Sequence, residues 1–475
     1  MINSPTHAGS AEVTPIDTTA RGPLLLLVGM ALVWLVVSGT FALIASIQLH
    51  TPQFLADCSW FTHGRTDAMR ESTFIYGWAG NAGLAISLWI LGRLGGSPLR
   101  ATNWVVAGTL FWNLGLAAGL VGIATGDMTS FAMLQLPVYV QPLMLFAYAT
   151  IAISGVLAWG GRRTDGTFAA QWYAVAALFV FPWLFSAAQA VLLWMPVRGT
   201  VQAIAAGWFT QGLWTLWLAP LALAGAYYIV PKTSGRVLPS YEFASLGFWT
   251  LLFVGAWAGG RHLIGGPVPA WVPTVGVVAC SLLIFHYSIV FLNLRGVTAS
   301  VGNAAQFIRL GLIAYLLVGL LDMITSFRLV AEQMQFTFLA TALQQLGLYG
   351  AISMIFFGCI YFMMPRIVGA PWASVGMMSA HRVAVILGIV LLVGGLAAAG
   401  MMQAGDLLNP SATLGDILAR IRLPLLVVTF AHIILIGANL LLLVNFLKTA
   451  ASRADGDVRV QNLFRQPSAI EASAT

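Results

Sequence analysis

Few groups in this 475-residue chain can do chemistry, and most of them sit in apolar surroundings. Arg261 and His262 stand together at the end of an apolar run of membrane length, in AWAGGRHL. The guanidinium offers five donors and a fixed charge; the imidazole offers a metal ligand or a proton carrier. Ionisable groups at such depth are costly and are usually functional or paired. Arg70-Glu71 precedes another apolar run, while Asp322, His286 and His432 lie inside three more. Asp322 reads as a structural buried carboxylate. His286 and His432 read as hydrogen-bonded interior histidines; a metal site shared with His262 is the alternative, which linear spacing leaves open. His50 and His63 border a polar loop and His381 adjoins Arg382, so all three read as interfacial. Cys58, Cys280 and Cys359 form neither CxxC nor CxxCH, which leaves covalent haem attachment and paired-thiol metal sites unsupported. There is no P-loop, GxSxG or HExxH.

The elements that position these groups are set by composition. The chain is 59% apolar and 8% charged, with a mean hydropathy of +0.88. Soluble domains carry about 25% charged residues. Twelve apolar runs fall at 24–49, 73–92, 101–124, 131–159, 171–194, 205–230, 243–264, 273–294, 307–326, 336–364, 382–403 and 423–447. Each is near the roughly 20 residues that span hydrocarbon as a helix. The prediction is an all-α integral membrane protein of about twelve transmembrane helices, which excludes a soluble fold. A polar head (1–23) precedes the membrane domain (24–449), and a polar tail (450–475) follows it. The run after the head is too long for a signal peptide.

Twelve spans put both termini on one side. That side carries 15 of the 22 Lys and Arg, and the other carries 7. Both termini are therefore expected in the cytoplasm, with the chain in a bacterial inner membrane. The net charge of +7 comes from this bias and gives no case for nucleic acid. In the second run, Asn81 lies among Gly77, Gly80 and Gly83. Small residues beside an intramembrane amide predict close helix packing with a hydrogen bond across the contact.

Several segments in order resemble the haem-copper oxidase catalytic subunit, specifically the cbb-type cytochrome c oxidase subunit I. They are Phe74 to Arg93, WYAVAALFVFPW (172–183), AYYIVPK (226–232), SYEFASLGFW (240–249), AWAGGRHL (256–263), FTFLATALQQLGLYG (336–350) and GCIYFMMP (358–365). The resemblance covers about residues 24–450 and implies haem b, copper and oxygen reduction. It also implies metal-ligand positions. The low-spin haem ligand of the second helix falls at Arg70 and the sixth-helix copper ligand at Gln211. The adjacent histidine pair falls at Arg261-His262, and the cross-linked tyrosine at Gly255. The His-x-His that holds both irons falls at Leu343-Gln344-Gln345.

Of six implied histidines only His262 is present. Arg has no lone pair to give, Leu has no donor atom, and Gln is a poor ligand beside imidazole. No catalytic or cofactor-binding residue is therefore expected, no haem or copper, and at most His262 as a metal ligand. Arg70 and Arg261 are expected either to fill the vacated space and charge, pairing with Glu71, carbonyls or Gln side chains, or to snorkel to the outer interface. The leading functional reading is an oxidase-like subunit that has lost its redox centre. It would serve as a structural, assembly or regulatory partner in a respiratory complex, beside other oxidase subunits, a c-type cytochrome or quinone. The alternatives are an active terminal oxidase or nitric oxide reductase relative with displaced ligands, and a transporter reusing the cofactor cavity.

Overall fold

The computed structural model describes residues 15–163, 166–299 and 302–451. Twelve helices are long and apolar enough to cross a membrane. They are α1 Ile16–His50, α2 His63–Gly95, α3 Thr102–Thr125, α4 Gln141–Gly160, α5 Ala169–Trp194 and α6 Thr200–Ser234, then α7 Tyr241–Leu263, α8 Trp271–Ala299, α9 Asn303–Ser326, α10 Phe338–Val368, α11 Val375–Leu407 and α12 Leu414–Ala451. Among the described residues there is no strand. The twelve-helix expectation holds, run for run.

Several boundaries differ from the sequence reading. Residues 16–23 of the polar head are helical, and α2 starts at His63 rather than 73, so Arg70 and Glu71 lie inside a helix. The fourth span starts at Gln141, not 131, with Pro142 in its first turn where a missing N–H costs least. α11 starts at Val375, capped by the Ser374 hydroxyl on the Met377 N–H. His381 therefore lies inside that helix and is fully buried, stacked on Phe307 and hydrogen-bonded to Tyr361, not interfacial. The polar tail beyond Ala451 lies outside the described residues.

Three helices form the centre. The most apolar stretches of α2, α6 and α10 are 100%, 94% and 94% buried, against 39–50% in the other nine. α2, α6 and α10 pack on one another, and the nine half-buried helices surround them. Glycine permits the closest of these contacts. A Cβ on Gly77 would come within 2.6 Å of Trp34, and one on Gly83 within 2.6 Å of Leu221. Asn81 and Asn113 exchange amide hydrogen bonds of 3.1 and 3.2 Å between α2 and α3. The packing and hydrogen bond expected around Asn81 are thus both present.

The central helices share a second trait. Each contains a stretch of wide π-helical turns: 73–80 in α2, 213–218 in α6 and 346–353 in α10. Such turns cluster at functional sites. Tyr76 and Trp217, inside two of these stretches, join Trp112, Tyr148, Phe181 and Phe185 in one fully buried aromatic cluster. Trp217 donates to the Tyr148 hydroxyl at 3.1 Å, which satisfies its indole N–H inside the core.

Candidate functional site: the cavity at the amino ends of α2, α6 and α10

A cavity of about 420 Å³ opens where α6 and α10 begin and α7 and α9 end. Gln211, Arg261, His262, Leu343 and Gln344 all line it, together with Trp214 and Asp322. The sequence positions marked as ligand sites on three separate helices thus converge on one space. Each π stretch begins within three residues of such a position: Thr73 follows Arg70, Leu213 follows Gln211, and Leu346 follows Leu343-Gln345.

Arg261 sits in a tight helical turn, Ala258–Leu263, at the end of α7. Its Nη1 lies 2.9 Å from Asp322 Oδ1 and donates to the Asp322 carbonyl at 3.2 Å. Both side chains are close to nine-tenths buried, and the Arg261 Nε–H has no partner. Arg70 is also turned inward. Its Nε donates to Asp67 Oδ1 at 2.7 Å, with the side chain 16% exposed. Neither guanidinium snorkels, and neither pairs with Glu71. Each instead holds a carboxylate that offsets its charge.

Glu71 is buried against the same cavity wall. It accepts from the Met133 N–H at 2.9 Å, from the Gln344 amide at 3.3 Å and from the Gln135 amide. Met133, which also lines the cavity, holds a left-handed φ of 61° to make that contact. This cluster was not foreseen. Its members lie 62 to 273 residues from Glu71 in sequence, and no local pattern signals them.

The remaining positions divide by helix geometry. Successive residues turn about 100°, so Leu343 and Gln345 face nearly opposite ways. Leu343 lines the cavity; Gln345 is buried outside it. Gly255 packs against Thr215, whose hydroxyl donates to the Gly255 carbonyl at 3.2 Å. A Cβ there would lie 3.0 Å from Thr215 Cβ, so the backbone contact occupies the place of any larger side chain.

The other histidines stay apart. His286 is fully buried on α8; its Nδ1 donates to the Gly247 carbonyl at 2.8 Å, and its Nε2 then accepts from Tyr315 at 2.8 Å. Both ring nitrogens are used, as a hydrogen-bonded interior histidine requires. His432 lies on α12 within electrostatic reach of Arg70. Among the described residues, no group of three or more His, Cys, Asp or Glu is placed to hold a metal ion. His262 lines the cavity and has no hydrogen bond among the described residues.

The sequence profile described as "Cytochrome C and Quinol oxidase polypeptide I" matches residues 23–407. A cytochrome c oxidase subunit 1 homolog of Azorhizobium caulinodans is 25% identical over 266 residues, 54% of this chain and 48% of that protein. The bacteroid homolog of Bradyrhizobium diazoefficiens is 26% identical over 58% of this chain and 51% of that protein. The chain thus spans about half the length of these two relatives; the homolog of Agrobacterium tumefaciens is 24% identical over 78% and 71%. In fold, the chain is similar to a heme-copper terminal oxidase dimer solved by cryo-EM, with a TM-score of 0.72 and 11% identity over 92% of this chain and 86% of that one. With the profile spanning most of the membrane domain, the chain belongs to the cytochrome c and quinol oxidase polypeptide I family, in the haem-copper oxidase superfamily.

Proposed function

We propose that this chain is a subunit I-like membrane protein without haem or copper, acting as a structural, assembly or regulatory partner in a respiratory electron-transport complex. The donor set at the implied ligand positions carries the reading. Where the family resemblance calls for imidazoles, Arg70 and Arg261 are committed to Asp67 and Asp322. Leu343 has no donor atom, and Gln211 and Gln345 offer only amides. His262 alone is a strong nitrogen ligand; it stands at a copper position, too few for a three-histidine copper site, and neither implied haem position carries an imidazole. The Arg261–Asp322 pair also leaves no net charge for anion capture, so a transporter reading gains nothing from Arg261.

The bias of Lys and Arg supports both termini in the cytoplasm and the chain in a bacterial inner membrane. Partners would be other oxidase subunits or a c-type cytochrome. A pyridine haemochrome spectrum with iron and copper analysis tests the central claim. We expect less than about 0.1 metal per chain and co-purification with cytochrome subunits. Stoichiometric haem b would overturn it and favour an active oxidase with displaced ligands.

A further inference from the structure

A second cavity, of about 640 Å³, lies at the opposite end of the bundle from the first. It is enclosed by the carboxyl end of α6, the loop that follows it, and the amino end of α5. Lys232 and Arg236 line it, and neither side chain forms an ion pair or a hydrogen bond among the described residues. Several other cations on this side are engaged. Arg93 pairs with Asp17, Arg21 donates to the carbonyls of Ile367 and Val368, and Arg162 covers Trp159. What sets Lys232 and Arg236 apart is that the two line one concave site.

Donors other than the two cations are also present. The Tyr241 hydroxyl accepts the Ala169 N–H at 2.8 Å, which leaves its own hydrogen to give. Tyr227 is 4% exposed and lines the cavity; its hydroxyl has Asn293 as a neighbour but closes no hydrogen bond. The amino end of α5 adds the partial positive charge of the helix dipole, with its Ala169 N–H already taken by Tyr241. The rest of the wall is apolar, with Phe168 and Val237 reaching the surface at 46% and 90% exposure.

Unpaired cations, hydroxyl donors and a helix amino end favour a phosphate, and the open apolar rim favours a hydrocarbon attached to it. We infer that this cavity is a binding site for the phosphate ester of an anionic amphiphile, as in the headgroup of an anionic phospholipid. A free phosphate shares the charged part of that chemistry. The lipid would wedge α5 against the α6–α7 loop, independently of whether the first cavity holds any cofactor.

The test uses the full chain, purified and delipidated, with native mass spectrometry in mixed phosphatidylglycerol and phosphatidylcholine. The wild type should retain phosphatidylglycerol by about tenfold over phosphatidylcholine. Lys232→Gln with Arg236→Gln should abolish that preference, and Tyr241→Phe should reduce it. Arg295→Gln with Lys448→Gln removes two exposed cations from the same side, outside the cavity, and should leave the preference intact. Inorganic phosphate alone, read by thermal shift, separates the sources. A lipid response without a phosphate response supports the amphiphile; a phosphate response lost with Lys232 and Arg236 supports the anion site but rejects the hydrocarbon part. No preference in the wild type, or equal loss in the control pair, overturns the inference.

Discussion

Arg261 grips Asp322 twice, through the carboxylate at 2.9 Å and through its main-chain carbonyl at 3.2 Å. The residues are 61 positions apart, on α7 and α9, so this contact joins two peripheral helices at the cavity wall. Removing one member leaves the other buried and uncompensated. Arg261→Met should destabilise the chain by about 3–5 kcal/mol, whereas Arg261→Met with Asp322→Leu should recover most of it. Thermal and chemical unfolding in detergent measure both. An equal loss in single and double variants would show that the pair is not the source.

Copper binding tests whether the cavity places side chains at these positions closely enough for a metal site. Gln211→His and Arg261→His beside His262 supply three imidazoles, and Asp322→Asn removes the carboxylate thereby orphaned. This triple variant should bind one Cu(II) with micromolar or tighter affinity, against no stoichiometric site in the unaltered chain. Titration followed by electron paramagnetic resonance gives the answer. Without nitrogen coupling in the triple variant, convergence of these positions on one cavity is not enough to build a site.

Asn81 and Asn113 should be energetically coupled. A double-mutant cycle with Asn81→Ala and Asn113→Ala is expected to give about 0.6–1.7 kcal/mol. The value stays modest because Asn113 Oδ1 also accepts from Trp34 at 2.6 Å and its amide donates to Thr109.

Glycines on the central helices should differ sharply from those facing outward. Gly83→Val drives a side chain into Leu221 and should cost about 1–3 kcal/mol or more, while Gly437→Ala meets nothing within 4 Å and should be near neutral. Equal effects in unfolding measurements would contradict the packing of α2 on α6.

Hydropathy made the bundle legible, because every span must be long and apolar on its own account. It could not place the start of α2, since HGRTDAMRES is polar and yet helical. That turn is supported by the Asp67–Arg70 pair and by Arg65, which reaches the Ala124 carbonyl at 2.9 Å. His381 was misread because it adjoins Arg382. Neighbours on a helix point about 100° apart, so Arg382 turns to Asn303 while the imidazole enters the core. Asp322 was recognised as buried, but its partner was not, since nothing local ties α7 to α9. Hydropathy also says nothing about which carbonyl an N–H chooses, so the π stretches were invisible.

Those wide turns have a mechanical consequence. They interrupt α2, α6 and α10, and in α6 and α10 they follow closely on the lining residues Gln211 and Leu343-Gln344. Deleting one residue from such a stretch lets its wide i→i+5 turn tighten to an ordinary i→i+4 turn, so the halves on either side keep their relative phase. The stretches therefore act as slack in the shaft. A single-residue deletion there should leave Gln211 and Leu343 facing the cavity, whereas one in ordinary α-helix would turn everything beyond it by about 100°.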